Sequence, residues 1–332
     1  MRIRRQRLFV SARRMAIVLT GFAMLCTWSA IARGQSVPTA ELRPGIVIDP
    51  AGKVAYAMTP EGVAAIDLAT GAKRWTSTAA AKPLAIVGNR LISQVAPSTR
   101  TNRLELAVLD RAQGTVAVRS SAELPAFVRV AVGQTLEGKF ETDARLVANN
   151  AVVTWRFDAQ PLRGIIDEPE RGETNVAAEA QPAGAQRSAE GALQVNVTTG
   201  AVTPANADLA GDTQERRWVV SGNEKVAGPT QYESADGRHI IASERIADDK
   251  TWAKYRWTVF ERATNRRIGE FQTHVAFTPF TVSDSTLIYE TTPYIRDGKA
   301  EPAKLRGVNL ATGQEVWSIE VRELVYRGPF PP

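Results

Sequence analysis

The chain has 332 residues, of which 44% are hydrophobic and 23% are charged, and its formal net charge is +6. Six arginines among residues 2–14 equal that excess, so the rest of the chain is close to neutral. The basic character therefore belongs to the N-terminus and does not indicate nucleic-acid binding. The length suffices for one large core or for one closed repeat architecture.

The N-terminal segment has the three parts of a secretory signal peptide. Its arginine-rich start precedes an apolar run at residues 16–32, in which Ala30 and Ala32 fit a cleavage site. We expect residues 1–32 to direct export to a bacterial periplasm or exterior. An uncleaved anchor is the alternative, because the run is about as long as the shortest spanning helices of ~17 residues. The single cysteine, Cys26, lies in this segment, so the mature chain has no thiol and no disulfide.

The remainder of the chain favours β structure throughout. After residue 33 it consists of short runs rich in Val, Ile, Leu, Thr and aromatic residues, which are bounded by Gly, Asn, Asp and Pro. No long amphipathic helical pattern interrupts them. Many short strands separated by turn signals predict a sandwich, a barrel or a propeller.

A repeated motif decides among these folds. Residues 65–75 read AIDLATGAKRW, and residues 307–317 read GVNLATGQEVW. The Asp or Asn can accept hydrogen bonds from the following turn, and the glycine can take a positive φ. The tryptophan four residues later is large and amphipathic, so it can pack on a neighbouring unit while its indole N–H finds a carbonyl.

Weaker copies of the turn mark the positions of the repeats between the first and the last. The aligned turn positions are Gly71, Gly114, Gly200, Asn265 and Gly313, and the first and last intervals are 43 and 48 residues. These intervals match the roughly 40–50 residues of one four-stranded propeller blade. The residues that define the repeat are Asp67, Gly71 and Trp75; Asp110 and Gly114; Asn196 and Gly200; and Asn309, Gly313 and Trp317.

The motif resembles the tryptophan-docking repeat of the quinoprotein-like β-propellers. The resemblance implies an all-β propeller of four-stranded antiparallel blades, with five recognisable repeats and five to seven blades. It also implies that Trp75 and Trp317 dock between adjacent blades. Because the complete copies lie in the first and last units, we expect both tryptophans to fasten the closure of the ring.

The middle units lack this tryptophan. Val118, Pro204 and Gly269 stand at the matching positions, so we expect these blades to dock less firmly or to use Phe271 and Trp218 instead.

One propeller domain is predicted over residues 33–322, with one insertion and one tail. Residues 165–191 are rich in Ala, Glu, Gln, Gly and Pro and read as a flexible insertion, because they contain few apolar residues to bury. A docking arm is the alternative reading of this segment. Residues 323–332 are proline-rich and predict an extended C-terminal tail.

Candidates for chemistry are few. Quinoprotein dehydrogenases hold pyrroloquinoline quinone with a calcium ion, but no position of this chain matches their cofactor motifs. The two histidines, His239 and His274, lie far apart without a nearby ligand pattern. Ser243 and Ser285 lie in no G-x-S-x-G turn. We therefore expect no catalytic residue, no cofactor and no bound metal.

The sequence thus favours a non-enzymatic, exported scaffold that binds other proteins of the bacterial cell envelope. The parallel is the propeller that assists the insertion of outer-membrane barrel proteins. No nucleic-acid partner is expected, and membrane contact is expected through residues 1–32 if they are not cleaved. A propeller that binds a small molecule or a carbohydrate is one alternative. A degenerate quinone-dependent oxidoreductase is the other.

Overall fold

A computed structural model describes residues 39–322 with gaps. The gaps are 41, 43, 50, 52, 136, 148–149, 160–187, 206–230, 235, 249–252, 277, 292 and 297–298. The predicted signal peptide, the predicted tail, Trp218 and most of the predicted insertion lie outside the described residues. Within the described part, no helix is long and apolar enough to cross a membrane.

The first two sheets are antiparallel and have four strands each. The first contains β2 (Ile46–Asp49), β3 (Val54–Thr59), β4 (Gly62–Asp67) and β5 (Lys73–Ser77). The second contains β6 (Lys82–Val87), β7 (Arg90–Gln94), β8 (Arg103–Asp110) and β9 (Val116–Glu123). Their middle strands are apolar because both faces are covered, and every residue of β3 is buried.

The other three sheets keep the same order with additions. The third contains β10 (Gly133–Thr135), β11 (Gly138–Val147), β12 (Asn150–Ala159), β13 (Ser188–Val195) and β14 (Val202–Pro204). The fourth contains β1 (Thr39–Ala40), β15 (Gln231–Ser234), β16 (His239–Asp248), β17 (Ala253–Glu261) and β18 (Arg266–Thr273). The fifth contains β19 (Phe280–Ser283), β20 (Thr286–Thr291), β23 (Lys304–Asn309) and β24 (Gln314–Glu320). Between β20 and β23 in sequence, β21 (Tyr294–Arg296) and β22 (Lys299–Glu301) form a separate two-stranded hairpin.

These sheets confirm the predicted fold class. The described part of the chain is all-β. It forms five large sheets and one two-stranded hairpin, and the last four strands of each large sheet are antiparallel and follow one another in sequence, apart from the hairpin inserted in the fifth. Such sequential antiparallel sheets are the blades of a β-propeller.

The core lies between the sheets. Separate buried clusters join the first sheet to the second around Tyr56 and Leu91, and the second to the third around Ile92 and Phe140. Two further clusters join the fourth sheet to the fifth and the fifth to the first. Among the described residues, no such cluster spans the third and fourth sheets, between which residues 206–230 run in the sequence.

The third sheet differs from the sequence prediction in one boundary. Residues 188–191 were assigned to the insertion, but they form the start of β13 and pair with residues 155–158 of β12. Gly191 lies opposite Trp155, whose indole covers the glycine so closely that a Cβ there would crowd it. The absence of a side chain at Gly191 thus allows the strand to extend, although a glycine in a polar sequence reads as loop.

Candidate functional site: the loop-bearing end

The connections between strands divide into two kinds, and each kind lies at one end of the sheets. Connections from the first strand to the second, and from the third to the fourth, are tight turns of at most six residues. We call this side the turn end. Connections from the second strand to the third, and from each sheet to the next, reach 28 residues at 160–187. We call that side the loop-bearing end.

The repeat motif builds the turn end. The aligned positions Gly71, Gly114, Gly200, Asn265 and Gly313 all have positive φ values, between 54° and 74°. Within these turns, the side chains at the predicted Asp or Asn positions accept two backbone N–H bonds each. The acceptors are Asp67, Asp110, Asn196 and Asn309, with distances of 2.9–3.2 Å. In the first turn, Arg74 bonds the Asp67 carboxylate at 2.7 Å, and this bond lowers the pKa of Asp67 to about 2.

Each of the two docked tryptophans packs on the turn of the following sheet. Trp75 donates its indole N–H to the Arg111 carbonyl at 2.9 Å and covers Gly114, where a Cβ would overlap the ring. Trp317 donates to the Leu68 carbonyl at 3.0 Å and covers Gly71 in the same way.

Trp317 therefore lies between the fifth and first sheets, whereas Trp75 lies between the first and second. The expectation that both tryptophans fasten the closure of the ring was wrong for Trp75, because the tryptophan always faces the sheet that follows it.

The sheets without this tryptophan use smaller contacts. Val118 of the second sheet packs on Gly200 of the third. In the fourth sheet Gly269 lies directly against Leu310, and Phe271 contributes to the buried cluster shared with the fifth sheet. These contacts, with those of Trp75 and Trp317, place the repeat turns of all five sheets at one end. The strand ends from which the long connections leave therefore share the other end.

Sequence reasoning missed an arginine at the turn end. Arg111 forms an ion pair with Asp49 of the first sheet and donates to the Tyr56 hydroxyl at 3.2 Å and to the Gly88 carbonyl at 2.6 Å. It thereby links the first and second sheets beside Trp75. Arg111 stands at the motif position of Leu68 in the first repeat, and the fourth repeat also has an arginine there, Arg262. A charged residue at a position that is apolar in the other three repeats was therefore the available signal.

The loop-bearing end contains a buried polar network between the second and third sheets. Lys82, which is 3% exposed, donates its Nζ protons to the carbonyl and the hydroxyl of Thr142 at 2.5 and 3.1 Å. The Thr142 hydroxyl donates to Gln94 Oε1 at 2.7 Å, and Gln94 Nε2 donates to the Ala131 carbonyl at 2.8 Å. Because a buried ammonium needs such acceptors, the network fixes the start of β6 against β11.

Two further features lie at the same end. Glu137 pairs with Arg100 at 2.7 Å and with Arg129 at 3.5 Å on the surface. A hollow lies between the first and fifth sheets and is lined by Pro44, Gly45, Ile46, Met58, Glu290, Val321 and Arg322. Its roughly 270 Å³ includes open solvent, so the enclosed space is far smaller than a small-molecule site.

The histidine nearest to other polar groups does not form a catalytic arrangement. His239 Nδ1 lies 4.0 Å from Asp236 Oδ1. The Ser234 hydroxyl donates directly to that carboxylate at 2.5 Å and accepts the backbone N–H of His239 at 3.0 Å. A nucleophilic serine would instead donate to the imidazole and be accessible, but Ser234 is fully buried. The side chains of Ser234 and Asp236 stabilise the turn between β15 and β16, and burial lowers the pKa of His239.

Comparisons with known proteins add little beyond the fold. No protein-family model and no curated protein matches the chain. Among solved structures, the AtxE2 isopeptidase aligns with 84% of this chain and 51% of its own at 13% identity and a TM-score of 0.39. A quinohemoprotein alcohol dehydrogenase from Pseudomonas putida aligns with 86% of this chain and 44% of its own at 12% identity and a TM-score of 0.25. TolB from Acinetobacter baumannii aligns with 82% and 53% at 14% identity and a TM-score of 0.22.

The chain thus spans about half the length of these three proteins. Such distant similarity carries no argument about activity or partners.

The quinoprotein dehydrogenases hold their quinone beside a calcium ion. A calcium ion beside the quinone needs several convergent oxygen ligands. Among the described residues, no three His, Cys, Asp or Glu side chains converge in a way that could hold a metal ion. The buried carboxylates of Asp49 and Glu233 are paired with Arg111 and Arg262.

Proposed function

We propose that this protein is an exported, non-catalytic β-propeller that acts as a protein-interaction scaffold in the bacterial cell envelope. The observation that carries the proposal is that the described strand ends from which the long connections leave all lie at the loop-bearing end. Binding residues concentrate on loops that a rigid scaffold holds in place. At the turn end, the residues of the repeat motif pack between neighbouring sheets. The loop-bearing end is therefore the surface available to a partner.

Export follows from the predicted signal peptide, and the envelope is where such a peptide delivers a soluble bacterial chain. The mature chain has no cysteine, so the fold does not require a disulfide and tolerates either redox state of that compartment.

Site-specific photocrosslinking in bacterial cells tests the proposal. A photoreactive residue is placed at Ser98 or Lys299, which are exposed at the loop-bearing end, and at Gln113 or Thr312, which are exposed at the turn end. We expect specific crosslinked proteins from the first pair and none from the second. Equal yields from both ends, or no crosslink from either, would contradict the proposal.

A further inference from the structure

The fourth sheet has a fifth strand that comes from a distant part of the chain. β1 pairs with β15, with Thr39 opposite Glu233 and Ala40 opposite Ser234. The pairing is parallel, whereas every other ladder among the described strands is antiparallel. β1 lies on the inner edge of the sheet, which is the edge formed by the first strand and opposite to the outer strand β18.

This strand is weakly held compared with the other additional strand of the fold. β10 pairs with β11 over three residues and is joined to it directly by residues 136–137, so it cannot leave its sheet without opening a hairpin. β1 pairs over two residues and continues through residues 41–45 into the first sheet. Parallel pairing is also slightly less stable per residue than antiparallel pairing.

The edge under β1 does not depend on β1 for its shape. Glu233 is ion-paired with Arg262, and the Ser234 hydroxyl bonds Asp236 and the backbone of His239. β15 also pairs with β16 along its other edge. If β1 leaves, β15 therefore keeps its conformation and presents backbone N–H and C=O groups that can bind another strand.

We propose that the inner edge of β15 is a strand-addition site for an extended peptide segment, which residues 39–40 of this chain occupy in cis. The ligand is recognised by its backbone, as in other cases of strand addition to a sheet edge. This inference goes beyond the proposed scaffold function, because it concerns a different surface and requires no envelope partner.

Because β1 occupies the site in cis, it determines how tightly a free peptide must bind in order to displace it. Residues 41–45 tether β1 to the first sheet, and a short tether gives an effective concentration on the order of millimolar. A peptide in trans must compete with that concentration. Substitutions that weaken β1 should therefore expose the site, and substitutions that strengthen it should close the site.

Two paired variants of the full chain test the proposal in opposite directions. T39P/A40P removes both backbone N–H groups of β1, whereas T39V/A40V keeps them and raises the strand preference. The probe is a fluorescent peptide with the sequence of residues 35–43, compared with its scrambled version by fluorescence anisotropy. Relative to the parent chain, we expect binding at least about tenfold tighter for the proline pair and weaker for the valine pair.

The location is checked with a photoreactive group on the peptide, which should crosslink to the fragment that contains residues 231–234. The proposal is overturned if the three proteins bind the peptide equally, if none binds it, or if the crosslink maps to another sheet. If circular dichroism shows that the proline pair does not fold, the parent and the valine pair decide alone, and equal affinity of these two overturns the proposal.

Discussion

Trp317→Ala should destabilise the protein more than any single change at the surface of the fifth sheet. Trp317 is 7% exposed, packs on Gly71 of the first sheet and donates to the Leu68 carbonyl. A fully buried tryptophan removes roughly 200 Å² from water, or about 5 kcal/mol at 25 cal/mol per Å². Truncations of large aromatic residues cost about 3–5 kcal/mol, and we expect about 4 kcal/mol here.

Urea unfolding followed by tryptophan fluorescence and circular dichroism measures the change in the free energy of unfolding. For a domain of this size, the same change lowers the melting temperature by roughly 8 °C. Trp75→Ala should cost less, about 2–3 kcal/mol, because Trp75 is only half-buried. Val316→Ala is the matched control, since Val316 is adjacent to Trp317 and is 48% exposed.

A double-mutant cycle with Gly71 isolates the contact. Gly71→Ala is strained by its φ of 69° and by overlap with Trp317. In the Trp317→Ala background the overlap with the indole ring disappears, whereas the close approach to the residue-317 Cβ and the backbone strain remain. The two changes together should therefore cost at least about 1 kcal/mol less than their sum. Additivity within about 0.5 kcal/mol, or an effect of Trp317→Ala no larger than that of Val316→Ala, would refute the docking assignment.

Three further changes test other contacts. Arg111→Met should lower the free energy of unfolding by about 2–3 kcal/mol, because it leaves the buried Asp49 carboxylate unpaired. In the same urea titration, Arg119→Met at an exposed position should change the free energy of unfolding by no more than about 0.5 kcal/mol. Burial lowers the pKa of His239, so the neutral imidazole contributes fully to the free energy of unfolding above about pH 6.5, and this contribution declines as the pH falls below that value. His239→Asn should therefore reduce the change of melting temperature between about pH 5 and 7. Arg74 holds the pKa of Asp67 at about 2, so the contribution of this carboxylate to the free energy of unfolding should be lost as the pH falls below about 3.8. Asp67→Asn should abolish this pH dependence in acid titrations but keep the turn. Asp67→Ala should lower the free energy of unfolding by about 1 kcal/mol more than Asp67→Asn does.

The turn end could be predicted from the sequence because its determinants are local. A positive φ at a turn position favours Gly or Asn. Four residues earlier, a side chain that accepts the backbone N–H groups two and three residues after itself must be Asp or Asn. All five aligned positions follow the first rule, including Asn265 at a φ of 54°. Local rules of this kind require no knowledge of the neighbouring sheet.

The relations between sheets could not be read in the same way. Nothing in residues 65–75 shows whether Trp75 faces the preceding sheet or the following one, which is why its placement at the ring closure was wrong. Lys82 precedes a proline at a strand start and reads as a solvated charge, although Thr142, 60 residues later, buries it. β1 and β10 are too short for any periodic pattern to mark them.

The fourth sheet, which takes up β1, is packed firmly on the fifth. Trp257 and Phe271 of the fourth sheet and Tyr289 of the fifth form a buried aromatic cluster with ring centroids 5.4–5.7 Å apart. β1 instead joins the fourth sheet by backbone pairing at the β15 edge. Because that pairing is separate from the aromatic cluster and from the two tryptophan contacts at the turn end, a peptide that displaces β1 should leave the cluster and the docked tryptophans of the first and fifth sheets in place.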